Sequence, residues 1–447
     1  MVEQETSLQE GKMKQSTQTK TQPLIPKLRF KEFDGDIKET FFGKLYSFHT
    51  TNSLSRDKLN YENGEIRNIH YGDIHTKFQS HFHLEKEYVP FINSNVDISK
   101  IKNDSYSKLG DLIIADASED YADIGKSIEL INLNNEKLVA GLHTFLARPV
   151  TDKTAIGYIS YVLKSWKLRK QIMTIAQGTK VLSLSTNRFS LLKLVLPSLP
   201  EQHKIASFLS AVDEKIQQLT QKKSLLEQYK KGVMQQLFSG KLRFKDENGE
   251  NFPDWEEKRF FDLFDDVLDF RGRTPLKMGM EWGGDILSLS ANNVKNGFID
   301  LTAEGNLGSE DLYEKWMGKV NLEKGDIVFT MEAPLGKALL VPDNKKYILS
   351  QRVVAFKSIK NISNAFLIQL IWSSKFQNTI TRLSTGSTAK GINQKSLKKV
   401  KVDIPCIKEQ QKIANYLSVI DTKIETVNQQ IEKTQEFKRG LLQQMFV

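Results

Sequence analysis

The chain of 447 residues contains one cysteine, Cys406. A single thiol cannot close an internal disulfide, which fits a reducing compartment and excludes a disulfide framework. No run of about 18 apolar residues exists that could span a bilayer as a helix, and the opening stretch MVEQETSLQEGKMKQSTQTK lacks the apolar segment of a secretory signal. The expected location is therefore cytoplasmic, with no membrane span. Catalytic signatures are also missing. There is no Asn/Asp-Pro-Pro-aromatic tetrapeptide and no glycine-rich cofactor loop. IGKS at Ile124 ends like a phosphate-binding loop, but Asp120 stands where that pattern needs glycine. His75, His81 and His83 lack the compact partners that would complete a metal site. The expectation is a chain with no catalytic residue, no metal and no cofactor of its own.

Positive charge is in excess: 64 Lys and Arg stand against 54 Asp and Glu, a formal net charge of +10. That balance favours an anionic partner, nucleic acid or an anionic membrane surface. The length and a hydrophobic share of 39% allow more than one core.

The chain is written twice. LPSLPEQHKIASFLSAVDEKI, from Leu196 to Ile216, recurs as IPCIKEQQKIANYLSVIDTKI, from Ile404 to Ile424. Pro197 matches Pro405, Glu201 matches Glu409 and Asp213 matches Asp421, at a constant offset of 405 − 197 = 208 positions. The register holds to KKGVMQQLF (Lys230 to Phe238) against KRGLLQQMF (Lys438 to Phe446). An opener, Lys-Leu-Arg-Phe-Lys, stands at Lys27 to Lys31 and again at Lys241 to Lys245. Between opener and closer the copies diverge. A repeat of this kind marks two modules on one scaffold.

From Glu201 and Glu409 onward the apolar residues keep the alternating 4-and-3 spacing of a heptad seam. The seam runs through Ile205, Leu209, Val212 and Ile216 in one copy and Ile413, Leu417, Ile420 and Ile424 in the other. Each copy therefore predicts a long amphipathic helix, with Pro197, Pro200 and Pro405 at the entries. Lys223, Lys230, Thr434 and Lys438 fall on seam positions where a continuous pair of helices prefers aliphatic side chains. The divergent interiors carry short apolar runs between Gly, Asn and Asp clusters, among them DLIIA, TFLARP, DILSLS, DIVFT and RVVAF. Helical stretches are expected at AIGYISYVLKSWKLRKQIM and AFLIQLIWSSKFQNTI.

The openers, the doubled Glu-Gln-x-Lys-Ile-Ala helix entry and the block RGRTP…GGDILSLSANNVKNGFID after Arg271 resemble the DNA specificity subunit of type I restriction-modification systems. The resemblance covers nearly the whole chain beyond its polar start; the first head has TTNSLSRDKLNYENGEIRNIHYGDIHTKF where the second carries the RGRTP block. It implies an α+β fold: two mixed α/β target recognition domains alternating with two long helices that pair as an antiparallel coiled coil, an internal pseudo-twofold repeat. The expected parts are a disordered polar tail at 1–25, recognition domains at 26–196 and 240–404, and spacer helices at 197–239 and 405–447. The implied partners are double-stranded DNA, two methyltransferase (modification) subunits and up to two restriction/translocase subunits. S-adenosylmethionine, ATP and Mg are expected in those partner subunits.

Sequence readout needs forked donors and amides at the groove edge, Arg for guanine and Asn or Gln for adenine, with Lys, Ser and Thr holding phosphates. On that chemistry the first head offers Arg67, Asn68, His70, Tyr71, Lys77, His143, Thr179, Lys180, Ser183 and Asn187. The second offers Arg271, Arg273, Thr274, Asn292, Asn293, Lys295, Arg352, Ser387, Thr388, Lys390 and Asn393. For subunit docking and helix pairing the expected residues are Glu201, Gln202, Glu409 and Gln410 with the eight seam aliphatics named above.

Overall fold

The computed structural model describes residues 25–446, so the segment 1–25 expected to be disordered lies outside the described residues apart from Ile25. The chain divides into two compact units. One comprises the residues up to Gln217 together with those from Glu432 on, and the other comprises Gln218–Ile431. Each unit thus combines one head with a part of each long helix.

In the first unit a five-stranded sheet runs in the order Tyr46–His49, Thr144–Pro149, Leu112–Ala115, Ser127–Asn132 and His81–His83. Every neighbour is antiparallel except the last pair, which is parallel. Leu112–Ala115 is buried at all four positions, as a continuous apolar run covered on both faces should be. A four-stranded sheet adds Lys137–Ala140, Ile66–Ile69, Phe91–Ile92 and Leu59–Asn60. In the second unit the corresponding sheet is Phe264–Leu268, Val353–Ser358, Ile327–Thr330 and Ala338–Leu340, in the same order and antiparallel throughout. A smaller sheet holds Leu307–Gly308, Ile286–Leu289 and Ile348–Leu349.

Two further features repeat. A two-stranded ribbon joins the start and end of each head, Lys38 opposite Leu196 in one and Glu256 opposite Ile404 in the other. Each expected helical stretch is two helices: Ile159–Lys164 then Trp166–Ile175, and Asn364–Trp372 then Ser374–Leu383. The joint is Ser165 in one and Ser373 in the other, both with extended backbone. Ser373 also caps the following helix by accepting from the Phe376 amide.

The long helices are Leu199–Phe238, of 40 residues, and Ile407–Gln444, of 38 residues. Each extends for roughly 60 Å at 1.5 Å per residue. Near its start each helix contributes to a head core. Ile205, Leu209 and Val212 pack with Phe42, Leu112, Tyr158 and Leu441 in the first unit, and Ile216 lies against that cluster. Ile413, Leu417 and Ile420 pack with Phe260, Phe329, Phe366 and Leu237 in the second, with Ile424 alongside. Within the second unit Leu219, Leu226, Val427 and Ile431 form a small cluster where parts of the two helices meet.

The charged seam positions are accounted for inside the units. Lys230 donates to Asp421 at 2.6 Å and lies over the Trp372 ring at 4.9 Å, while Lys223 donates to Asn428 at 2.6 Å. Lys438 makes the equivalent bond to Asp213 and lies over Tyr161 at 5.6 Å. Each aspartate takes one more donor from its head, Tyr161 Oη at 2.9 Å in the first unit and Gln369 Nε2 at 2.8 Å in the second. Lys230 and Lys438 are half-buried partners of the aspartate that recurs in both copies, and Lys223 is the half-buried partner of an asparagine, so these positions are not gaps in a seam.

Candidate nucleic-acid interface

The frame that holds the reading surfaces begins with the Glu-Gln pair at each helix entry. Glu201 accepts from Nε and Nη2 of Arg29, both at 2.8 Å, and Glu409 accepts from Arg243 at 3.1 and 2.7 Å and from Trp255 Nε1 at 3.0 Å. These arginines come from the two Lys-Leu-Arg-Phe-Lys openers, so opener and closer of each copy meet. Gln202 accepts from the Ala155 amide and donates to the Lys153 and Pro197 carbonyls; Gln410 accepts from the Ser363 amide and donates to the Pro405 carbonyl. All four side chains are at most 1% exposed. This corrects the expectation that they dock other subunits: a carboxylate buried so deeply needs its fixed cationic partner and has no surface to offer. The same holds for Ile205, Leu209, Ile413, Leu417 and Ile420, which are spent on the cores of their own units.

The Gly-Thr-Lys and Gly-Ser-Thr loops are matched in shape. Gln177 and Ser183 exchange backbone hydrogen bonds at 2.9 and 2.7 Å, and Thr385 and Gly391 do so at 2.8 and 2.9 Å. Gly178 and Gly386 have φ of +122° and +99°, and a Cβ there would lie 2.0 Å from the Val181 carbonyl oxygen or 2.3 Å from that of Ala389. Glycine is required at both. Thr179, Lys180 and Ser183 in one loop, and Ser387, Thr388 and Lys390 in the other, are exposed, as is the nearby Asn187. Asn393 is also exposed but spends its side chain capping the short helix Gln394–Leu397.

In the second head Arg273, Thr274, Asn292 and Arg352 line one open cleft of about 460 Å³. Trp282, Trp316, Glu304 and Gln351 complete its walls, and the two indoles lie 5.6 Å apart. Arg273 is held by the Trp316 carbonyl and lies over Phe270 at 4.4 Å. Arg271 is turned to Asp269, which also accepts from Gln394 at 2.6 Å. Burial opposes ionisation of Asp269, yet the bonds from Arg271 outweigh it and hold the carboxyl below its ordinary value. Lys295 donates to the Asn292 carbonyl at 2.7 Å. Asn293 is a correction: it is 1% exposed, accepts from the Ser290 amide and donates to the Ser288 carbonyl, so it shapes the turn and faces no ligand.

In the first head His70, Tyr71 and His143 come together. The Tyr71 ring stands 4.6 Å from His70 and 5.3 Å from His143. His70 caps the helix Tyr71–Thr76 through Nδ1, and burial followed by the nearby Arg56 charge lowers its pKa. Lys77 pairs with Asp73 at 2.9 Å. Burial resists the Asp73 charge, but Arg56 and Lys77 together hold its carboxyl low. His143 pairs with Asp116 at 3.4 Å, and burial raises the Asp116 pKa. Arg67 points elsewhere, bonded to Glu136 and the Val89 carbonyl and 4.0 Å over Phe91. Asn68 is fully buried and bonded to Asn52, which removes it from any surface.

The sequence reading missed Trp282, Trp316, Glu304 and Gln351 in the cleft and Asp116 beside His143. The RGRTP block, Asn292 and Arg352 pointed toward that cleft, and no spacing links Trp282 to Trp316. Among the described residues no helix is long and apolar enough to cross a membrane.

Comparison with known proteins bears on this two-headed frame. The sequence model of the type I restriction modification DNA specificity domain matches twice, at residues 56–228 and 253–436. The chain is 30% identical over 295 residues to the type I restriction enzyme MjaVIII specificity subunit of Methanocaldococcus jannaschii, covering 63% of this chain and 68% of that one. It is 22% identical over 387 residues to the type I restriction enzyme EcoKI specificity subunit of Escherichia coli, covering 80% and 81%. The crystal structure of the type I restriction-modification S subunit from M. genitalium shares the fold, with a TM-score of 0.56 and 14% identity over 95% of this chain and 99% of that one. Two matches, each spanning one head and much of the long helix that follows it, account for most of the sequence, and the chain belongs to the type I restriction-modification DNA specificity family.

Proposed function

We propose that each head reads one half of a bipartite, asymmetric DNA target. In this reading the two long helices pair as an antiparallel coiled coil, set the unspecified gap and dock two methyltransferase subunits. The chain is a specificity subunit and recognises DNA sequence; catalysis lies in the partner modification and restriction subunits. S-adenosylmethionine, ATP and Mg belong to those partners in this proposal, and up to two restriction subunits join them to direct adenine methylation and cleavage. Cellular DNA as target implies work in the cytoplasm.

One observation carries the reading. The ion pairs that join head to helix recur, Arg29–Glu201 with Arg243–Glu409 and Lys438–Asp213 with Lys230–Asp421, while the cleft of the second head and the His70–Tyr71–His143 cluster of the first are built from unlike residues. A reader of one palindromic sequence has no use for unlike heads. Phosphate contacts fix register and base contacts specify, so the matched glycine loops suit backbone holding and the unlike cleft and cluster suit base reading.

The test is an exchange of residues 41–193 for the head of another family member, assembled with the modification subunits, followed by mapping of methylated adenines. One half-site should change and the other, with the gap, should remain. A change in both would refute modular reading. Insertion near Lys222 should lengthen the gap and leave both half-sites intact.

A further inference from the structure

Six described non-glycine residues have positive φ. Asn134, Asn135 and Asn361 are of the type that tolerates this conformation through a short polar side chain, and Ala333 keeps the strain but carries no group that could read a base. The remaining two occupy one structural position in the two heads. His143, with φ of 54°, directly precedes the strand Thr144–Pro149, and Arg352, with φ of 69°, directly precedes Val353–Ser358. Those strands are equivalents, pairing Thr144 with Ala115 and Val353 with Thr330. The backbone bond beyond that pair is also shared: the His143 carbonyl accepts from the Asp116 amide at 3.1 Å, and the Arg352 carbonyl accepts from the Met331 amide at 2.7 Å.

A left-handed arginine is costly. Arg352 lacks the short polar side chain that eases the conformation, and glycine would satisfy the same turn without strain. Strain of this kind persists where the surroundings impose it and the side chain is needed. What the turn accomplishes is visible in both heads: it lifts the side chain out of the sheet to the surface. Arg352 is exposed on the cleft wall with Asn292, and among the described residues its guanidinium makes no hydrogen bond or ion pair, unlike Arg271 and Arg273. Glu304 lines the same cleft. In the first head His143 projects beside the Tyr71 ring with half its side chain exposed.

We propose that positions 143 and 352 are the shared base-reading position of the two heads, with Arg352 taking the forked acceptors of a guanine edge and His143 meeting a base edge in the other half-site. The assignment rests on the two-head reading given above. Its chemistry is that of a planar guanidinium unspent within the protein, suited to O6 and N7 of guanine.

The experiment assembles Arg352→Gly, Arg352→Ala and His143→Gly chains with the modification subunits, maps methylation across a genome and records melting temperature. Arg352→Gly should reduce methylation of the full target at least about tenfold and relax one guanine position in one half-site, with melting unchanged or raised. Arg352→Ala should lose the same guanine while melting below Arg352→Gly, because alanine keeps the strain. His143→Gly should relax a position in the other half-site only. Full methylation of the unaltered target by Arg352→Gly would overturn the proposal. So would a uniform loss with lowered melting, which assigns the residue to the fold. If exchange of a whole head still changes one half-site, that outcome rejects the reading position alone; if exchange changes both, the two-head reading itself falls.

Discussion

Glu129 in the first head and Leu340 in the second occupy the same place in the same sheet, one opposite Leu112 and the other opposite Ile327. A fully buried carboxylate thus answers a leucine. The Glu129 oxygens accept from the Gly157 amide at 2.6 Å and the Ser160 amide at 2.9 Å, at the entry of the helix Ile159–Lys164, where no side chain of the preceding residue caps. The matching helix Asn364–Trp372 is capped by its own Ser363. Free amides at a helix start must find an acceptor; one head supplies it across the sheet and the other from the adjacent residue. The frame therefore conserves the satisfied helix start and not the residue that satisfies it. Burial pushes the Glu129 carboxyl up to about 7.

The comparison breaks most severely at the opener. Arg29→Ala would strand Glu201 with no side-chain donor, whereas Arg243→Ala would leave Glu409 its Trp255 bond. Removing one partner of a buried pair costs about 3–5 kcal/mol, so Arg29→Ala is expected to lie at the upper end and Arg243→Ala about 1 kcal/mol below it. Hydrogen exchange of the segments 112–132 and 327–340 reads the two units separately; equal losses would show that Trp255 adds nothing.

A smaller effect distinguishes the heads by pH. The Glu129 carboxyl holds its proton in the folded state up to about pH 7 but releases it near 4.5 when unfolded. Below about 4.5 the two states bind that proton alike, and as pH rises through about 7 the folded state loses up to about 3 kcal/mol of stability through this group. Protection of 112–132 should therefore fall between pH 5 and pH 8, that of 327–340 should not follow it, and Glu129→Gln should flatten the slope. An unchanged slope in the variant would remove Glu129 as its source. The smallest effect should be the most symmetric: Gly178→Ala and Gly386→Ala each force a Cβ onto a carbonyl oxygen at positive φ and should cost about 1–2 kcal/mol. Unequal urea midpoints would mean that the two loops are not equivalents.

Much of the frame was legible because it is local. The heptad spacing and entry prolines located both long helices to within a few residues, and DLIIA, DIVFT and RVVAF are strands at the centre of their sheets. The break at Ser165 and Ser373 was not legible, since a serine inside a helical pattern signals nothing unless its backbone is known to be extended. Among the readers, Arg273, Thr274, Asn292 and Arg352 do share a cleft. Asn68 and Asn293 have the same amide chemistry and point inward, because the side to which a residue points depends on sheet register and turn type.

The sequence by itself determined the duplication, the two long helices and the basic, two-headed plan, because repeats and hydrophobic periods are properties of order along the chain. Only the tertiary structure decided that Glu201 and Glu409 anchor openers rather than face a partner, and that Lys230 and Lys438 bond to Asp421 and Asp213 within their units. It also decided that His143 and Arg352 occupy one position in two heads. Burial and backbone conformation arise from residues distant in sequence, and no local pattern encodes them.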